Sequence, residues 1–225
     1  MNIIEVKNII KTFKDGINET KVLKGIDLEV KHGEFIAIMG RSGAGKSTLL
    51  YQMSLLDNPT SGTITLNGVH TDKLSQEERT QFRLVNLGYV FQDYSLLPEL
   101  TAAENIMIPL LMQGMNKEKA LKKAMEALSD VGLGHRPNNL PSELSGGEQQ
   151  RVSIARAITH EPKMLFADEP TANLDTASSD LVMNIFKKLN KEKGLTIVMV
   201  THEEEYGHIA HRIIRLSDGL VVNHK

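Results

Sequence analysis

Phe35-Ile36-Ala37-Ile38-Met39-Gly40-Arg41-Ser42-Gly43-Ala44-Gly45-Lys46-Ser47 is the stretch whose reading decides the fold. Its first five residues are apolar and are followed directly by glycine, the pattern of a short buried strand. The next eight fit G-x-x-x-x-G-K-[ST], and a helix is predicted from near Lys46. Strand, glycine loop and helix in that order are the context in which this pattern cradles phosphate. Glycines at 40, 43 and 45 let backbone N–H groups approach an anion, and the helix N-terminus adds favourable partial charge. Lys46 reaches outer phosphates and Ser47 offers a hydroxyl to Mg²⁺. The candidate nucleotide-binding residues are thus Gly40, Arg41, Ser42, Gly43, Ala44, Gly45, Lys46, Ser47 and Thr48.

Outward from this stretch, similar apolar runs recur at Ile3–Val6, Leu87–Phe91, Met164–Ala167 and Thr196–Val200. Helical periodicity lies between them. One helix follows Lys46, and others fall near Lys117–Ser129, Ser145–Thr159 and Thr176–Lys191. Strands alternating with helices argue for a parallel α/β sheet, whose ligand crevice lies beyond the carboxyl ends of the strands. The first 70 residues or so read differently. Their short segments are separated by Asp15-Gly16, His32-Gly33, Ser61-Gly62 and Asn67-Gly68, which suits an antiparallel β layer. From Gln92 to Pro162 the chain is mostly helical. The expected architecture is a P-loop NTPase core with a parallel sheet, an N-terminal antiparallel β layer and an inserted helical subdomain at about 93–160, all within one domain spanning 1–225.

Composition narrows the setting. With 225 residues, 40% of them apolar, the chain can bury one substantial core. Its apolar runs fall short of the roughly 18 to 20 residues that cross a bilayer, so work at a membrane needs a span from another chain. Without cysteine, disulfides and thiolate metal sites are excluded, which fits a reducing compartment. A formal charge of −2 gives no basic excess for neutralising nucleic-acid phosphates, and nucleic acid is not an expected partner.

Two further motifs carry chemistry. Met164-Leu165-Phe166-Ala167-Asp168-Glu169 is an apolar strand ending in two carboxylates. Neighbours on a strand point to opposite sides, so the two acids should do different jobs. Leu144-Ser145-Gly146-Gly147-Glu148-Gln149-Gln150-Arg151 is a capping box, in which Ser145 caps a helix and Glu148 reaches back. Capping alone does not require both glycines, which cost roughly 1 kcal/mol each in helix interiors.

Together with the phosphate loop, Leu-Ser-Gly-Gly-Glu resembles the signature of the ATP-binding cassette (ABC) ATPases, and the resemblance covers Ile3 to about Asn223. It implies ATP and Mg²⁺ as cofactors and a nucleotide-bridged homodimer, in which Leu144, Ser145, Gly146, Gly147 and Glu148 of one copy close over ATP held by the other. It implies that Asp168 holds Mg²⁺ through water and Glu169 polarises the attacking water. Gln92 matches the family's glutamine loop, touching Mg²⁺ and water. His202 matches the switch histidine, and Asp175 the loop at the dimer interface, with helix capping a compatible reading. Phe13 matches the adenine platform, with core packing as the alternative.

The stretches Leu55-Leu56-Asp57, Gly88-Tyr89-Val90-Phe91-Gln92 and Ala167-Asp168-Glu169-Pro170-Thr171-Ala172-Asn173-Leu174-Asp175 are most similar to the lipoprotein-release and macrolide-export group. That group implies an integral membrane permease as partner and a place at the cytoplasmic face of the membrane. Docking is expected near Asp93 to Leu110. A cell-division-like force transmitter and an antibiotic-sensing complex share these motifs, as, more distantly, do soluble ABC proteins. Because those complexes share the motifs, the cargo is not specified by them; Ala172 in place of glycine and Glu203 in place of aspartate depart from the group's usual pattern and set the chain apart from any one named member.

Overall fold

The computed structural model describes residues 1–16 and 18–222. In chain order its strands are β1 (Asn2–Asp15), β2 (Asn18–Lys31), β3 (Phe35–Met39), β4 (Ser61–Leu66), β5 (Val69–His70), β6 (Leu87–Val90), β7 (Met164–Asp168), β8 (Thr196–Val200), β9 (Arg212–Ser217) and β10 (Leu220–Val221). The helices are α1 (Lys46–Met53), α2 (Gln76–Asn86), α3 (Ala102–Met112), α4 (Lys117–Asp130), α5 (Gly146–Ile158), α6 (Thr176–Lys193) and α7 (Glu204–Gly207).

Two sheets organise the chain. β2-β1-β4-β5 is antiparallel throughout, and β10-β9-β3-β8-β7-β6 is parallel except for the β10–β9 pair. Every residue of β3, β7 and β8 is buried, as strands covered on both faces require. Alternation along them divides two cores. Ile36, Ile38, Met164, Phe166, Val198 and Val200 join α1 and the antiparallel sheet. Phe35, Ala37, Leu165, Ala167, Ile197 and Met199 pack on α5 and α6.

A third core joins α3, α4 and α5 through Ile106, Leu110, Ala124, Leu128, Val152 and Ala155. Because α5 also gives Ile154, Ala157 and Ile158 to the sheet core, it fastens the helical layer to the sheet. Among the described residues no helix is long and apolar enough to cross a membrane.

The order β3-β8-β7-β6 brings four separate sequence motifs to one edge of the molecule. Gly40, His202, Glu169 and Gln92 each lie one or two residues beyond the carboxyl end of one of these strands.

Candidate functional site

The α1 helix begins without a side-chain cap: its N-cap is Gly45, at φ 98°. By contrast, Ser75, Thr101, Asn116, Ser145 and Asp175 each cap their helices by accepting a backbone N–H. Among the described residues no oxygen accepts from the first N–H groups of α1, an arrangement that favours an anion. Gly40, Arg41, Ser42, Gly43, Gly45, Lys46, Ser47 and Thr48 line a 660 Å³ cavity there. Gln92, Glu169 and His202 line it too. Ala44 is buried beneath it.

Lys46, only 8% exposed, is held ready by the loop it serves. Its Nζ donates to Gly40 O at 3.0 Å and Arg41 O at 3.3 Å, and sits 3.8 Å from Glu169 Oε1. Ser47 Oγ donates to Asp168 Oδ1 at 3.0 Å. Burial pushes the Asp168 carboxyl above its usual value; the Ser47 hydroxyl and Lys46 pull against this, and the Glu169 charge reinforces it. A hydroxyl and a carboxylate in contact are hard oxygen donors that suit Mg²⁺, an ion that keeps water and phosphate for its remaining ligands.

The two acids do not diverge as strict strand alternation predicts. β7 ends at Asp168, and Glu169 takes a left-handed backbone at φ 46°, which costs of order 1–3 kcal/mol for a residue with a Cβ. That turn brings Glu169 back over α1, so both carboxylates address adjacent residues, Ser47 and Lys46. His202 closes the far side, with Nδ1 at 2.7 Å from Glu169 Oε2 and its backbone N–H donating to the same oxygen at 3.3 Å.

Other expected site residues lie elsewhere. Leu144, Ser145, Gly146, Gly147 and Glu148 do not line the cavity. Ser145 and Glu148 form a reciprocal capping box, Ser145 N–H to Glu148 Oε2 at 2.8 Å and Glu148 N–H to Ser145 Oγ at 3.3 Å, and the Ser145 N–H holds the Glu148 carboxyl below its usual value. Asp175 caps α6 by accepting from Ser178 N–H at 2.9 Å and Ser178 Oγ at 2.8 Å. Phe13 is 47% exposed on the antiparallel sheet, with Lys11 Nζ 5.0 Å above its ring, so it is not core. Val22 and Ala172 also line the cavity; neither residue type signals such a role.

Gly147 has a packing reason beyond any ligand. A Cβ there would lie 2.6 Å from Ser178 Oγ and 2.8 Å from Ser178 Cβ. Gly147→Ala should cost ~1–3 kcal/mol, as overpacking does, and Ser178→Gly in the same chain should recover part of it. Urea unfolding of both variants checks this, and a fully stable Gly147→Ala would show that the contact is unimportant.

A β-layered α/β fold with an uncapped glycine loop, a lysine and two carboxylates at one crevice defines a P-loop nucleotide-binding protein. The ABC transporter family model matches residues 23–172, and the chain belongs to that family. It is 50% identical over 220 residues to the lipoprotein-releasing system ATP-binding protein LolD of Aquifex aeolicus (strain VF5), covering 98% of this chain and 96% of that protein. It is 44% identical over 223 residues to the macrolide export ATP-binding/permease protein MacB of Syntrophobacter fumaroxidans (strain DSM 10017 / MPOB), covering 98% of this chain but 31% of that one. A dimeric post-hydrolysis structure of the ATP-binding cassette MJ0796 bound to ADP and Pi superposes with a TM-score of 0.93 at 41% identity, covering 99% of this chain and 97% of that chain.

Proposed function

We propose that this chain is the ATP-binding and ATP-hydrolysing subunit of an ABC transporter, working as two copies around two ATP to drive a separate membrane permease in a system of the lipoprotein or macrolide export kind. One observation carries the reading. The cavity that suits phosphate also holds Glu169, between Lys46 and His202.

The chemistry follows from these positions. ATP phosphates accept from the free N–H groups at the start of α1 and from Lys46. Ser47, Asp168 and Gln92 would hold Mg²⁺, which on binding with ATP would offset phosphate charge. Glu169 takes a proton from the water that attacks the outer phosphorus, breaking its bond to the bridging oxygen and yielding ADP and phosphate. His202 exchanges its contact with Glu169 for one with the outer phosphate. The signature residues, outside their own cavity, serve the ATP of the second copy through Ser145 and Gly147. Phe13 offers an exposed ring to the base, and Asp175 lies at the junction of the copies. The chain forms one cassette domain whose helical subdomain spans about 93–160.

The permease docks at the 93–110 segment, placing the chain at the cytoplasmic face of the membrane. The segment borders a 310 Å³ groove among Leu56, Leu84, Tyr89, Phe91, Pro109 and Met112. Within it the Tyr89 hydroxyl and His160 Nδ1 are buried without a hydrogen-bond partner among the described residues, and Met112 is 63% exposed. Ile106 is core. Glu104 belongs to a capping box with Thr101, so reversing its charge would test the helix rather than the docking. Glu99 is exposed and uncommitted by any hydrogen bond or ion pair among the described residues. Glu99→Lys should lose the permease on affinity purification and keep its ATPase; loss of both activities would indicate misfolding, and retention of the permease would move the docking site elsewhere.

The deciding experiment is affinity purification of the wild-type chain from its own cells in gentle detergent. An integral membrane chain should copurify. Ribosomes or DNA with no membrane chain would sink the transport reading.

A further inference from the structure

Tyr94 and Ser95, two and three residues beyond Gln92, are consecutive non-glycine residues in the left-handed region, with φ of 64° and 47°. L residues with a Cβ enter that region in succession only where the surroundings hold them. The holding group is Arg156 of α5. Its Nη1 donates to Ser95 O at 2.7 Å and its Nη2 to Tyr94 O at 3.0 Å. Both arms of one guanidinium thus grip the carbonyls of the two strained residues. A planar fork is suited to such a grip, and a lysine cannot reproduce it. Burial presses against the Arg156 charge and Asp93 supports it. Ser95 Oγ in turn donates to Asp93 Oδ1 at 2.7 Å.

The same loop meets α5 at its other end. A Cβ at Gly146 would lie 2.9 Å from the Tyr94 hydroxyl oxygen, so Tyr94 lies along the helix, its carbonyl at Arg156 and its ring tip at the signature glycine. Gln92 is fixed as well, its carbonyl accepting from Asn173 Nδ2 at 3.1 Å, and it lines the phosphate cavity.

We infer that Arg156 is a positioning residue, which clamps the strained loop after Gln92 to the helix carrying the signature, so that the two approach nucleotide as one body. The inference rests on the ATPase reading above for its functional consequence. The clamp spans two elements that the sheet order alone leaves independent: Gln92 follows β6, whereas the signature opens α5, which precedes β7. Without it the loop relaxes to an ordinary backbone, and Gln92 no longer reaches the cavity in step with α5. Among the described residues the Arg156 side chain bonds to Tyr94 and Ser95 and to no residue of the phosphate loop, so ATP affinity should not depend on it.

The test is Arg156→Lys, with and without Ser95→Gly, because glycine adopts the left-handed backbone with no need of a clamp. In Arg156→Lys, kcat should fall about tenfold, the equivalent of one charged hydrogen bond, with ATP affinity and Tm unchanged. Adding Ser95→Gly should restore most of the lost kcat. An unchanged kcat in Arg156→Lys overturns the inference, as does a loss that Ser95→Gly fails to restore. A parallel fall in Tm and ATP affinity also overturns it, by making Arg156 a general packing residue. Hydrogen exchange across 91–97 reads the clamp without hydrolysis, and should speed up in Arg156→Lys and be unaltered by that change if there is no clamp. Wild-type protein that hydrolyses no ATP, together with faster exchange in Arg156→Lys than in wild type, would count against the proposed function and leave the clamp standing.

Discussion

Glu169→Gln should bind ATP as the parent does and hydrolyse it about 10²- to 10⁴-fold more slowly, the usual contribution of a general base. The substitution changes almost nothing else. Gln keeps the length of the side chain and one oxygen, which can still accept the His202 backbone N–H that now reaches Glu169 Oε2. It removes the carboxylate that would take the proton, and the negative charge 3.8 Å from Lys46 Nζ. Loss of that charge also removes one of the influences that raise the Asp168 pKa, so the Mg²⁺-holding carboxylate is, if anything, easier to ionise. With ATP retained and not consumed, the variant should accumulate as a dimer on gel filtration in Mg-ATP. Turnover equal to the parent's would remove Glu169 as the base; loss of ATP binding together with turnover would place its role in the ground state.

The sequence was most informative where one physical pattern had one structural solution. β3 had to be a strand buried on both faces because five apolar residues run into a glycine loop, and β7 and β8 read the same way. The end of β7 was only half legible. That Asp168 and Glu169 close a strand was plain, yet their convergence on α1 depends on the φ of 46° at Glu169, which no residue type advertises. The α2 helix was missed because its apolar residues, Phe82, Leu84 and Val85, fall only in its last turns and none of them is fully buried, although Ser75 and Glu78 form a capping box. β9 was missed because Arg212 and Arg215 interrupt its apolar run; each is occupied by an ion pair, to Glu34 and Glu204 respectively. The capping motifs at Ser145 and Asp175 were legible as caps. Arg156 was not, since a helical arginine looks like a solvated face until the loop it grips is in place.

Lys46→Ala should lower ATP affinity about 100-fold or more, the worth of roughly two charged hydrogen bonds at about 1.5 kcal/mol each. Lys46 Nζ already donates to Gly40 O and Arg41 O, so the loop curls around the cation before any phosphate arrives and little side-chain freedom remains to be lost on binding. Truncation removes those donors and the cation that offsets two adjacent carboxylates, leaving the cavity more repulsive to a triphosphate. The fold should tolerate the change. The two carbonyls face a 660 Å³ cavity and can turn to water, and α1 keeps Leu49, Leu50 and Met53 fully buried. Titration with a fluorescent ATP analogue in Mg²⁺, beside a thermal melt, separates the cases. Weakened binding at an unchanged Tm assigns Lys46 to the phosphates, whereas a variant that binds Mg-ATP as tightly as the parent would mean that the loop from Gly40 to Thr48 is not the phosphate site.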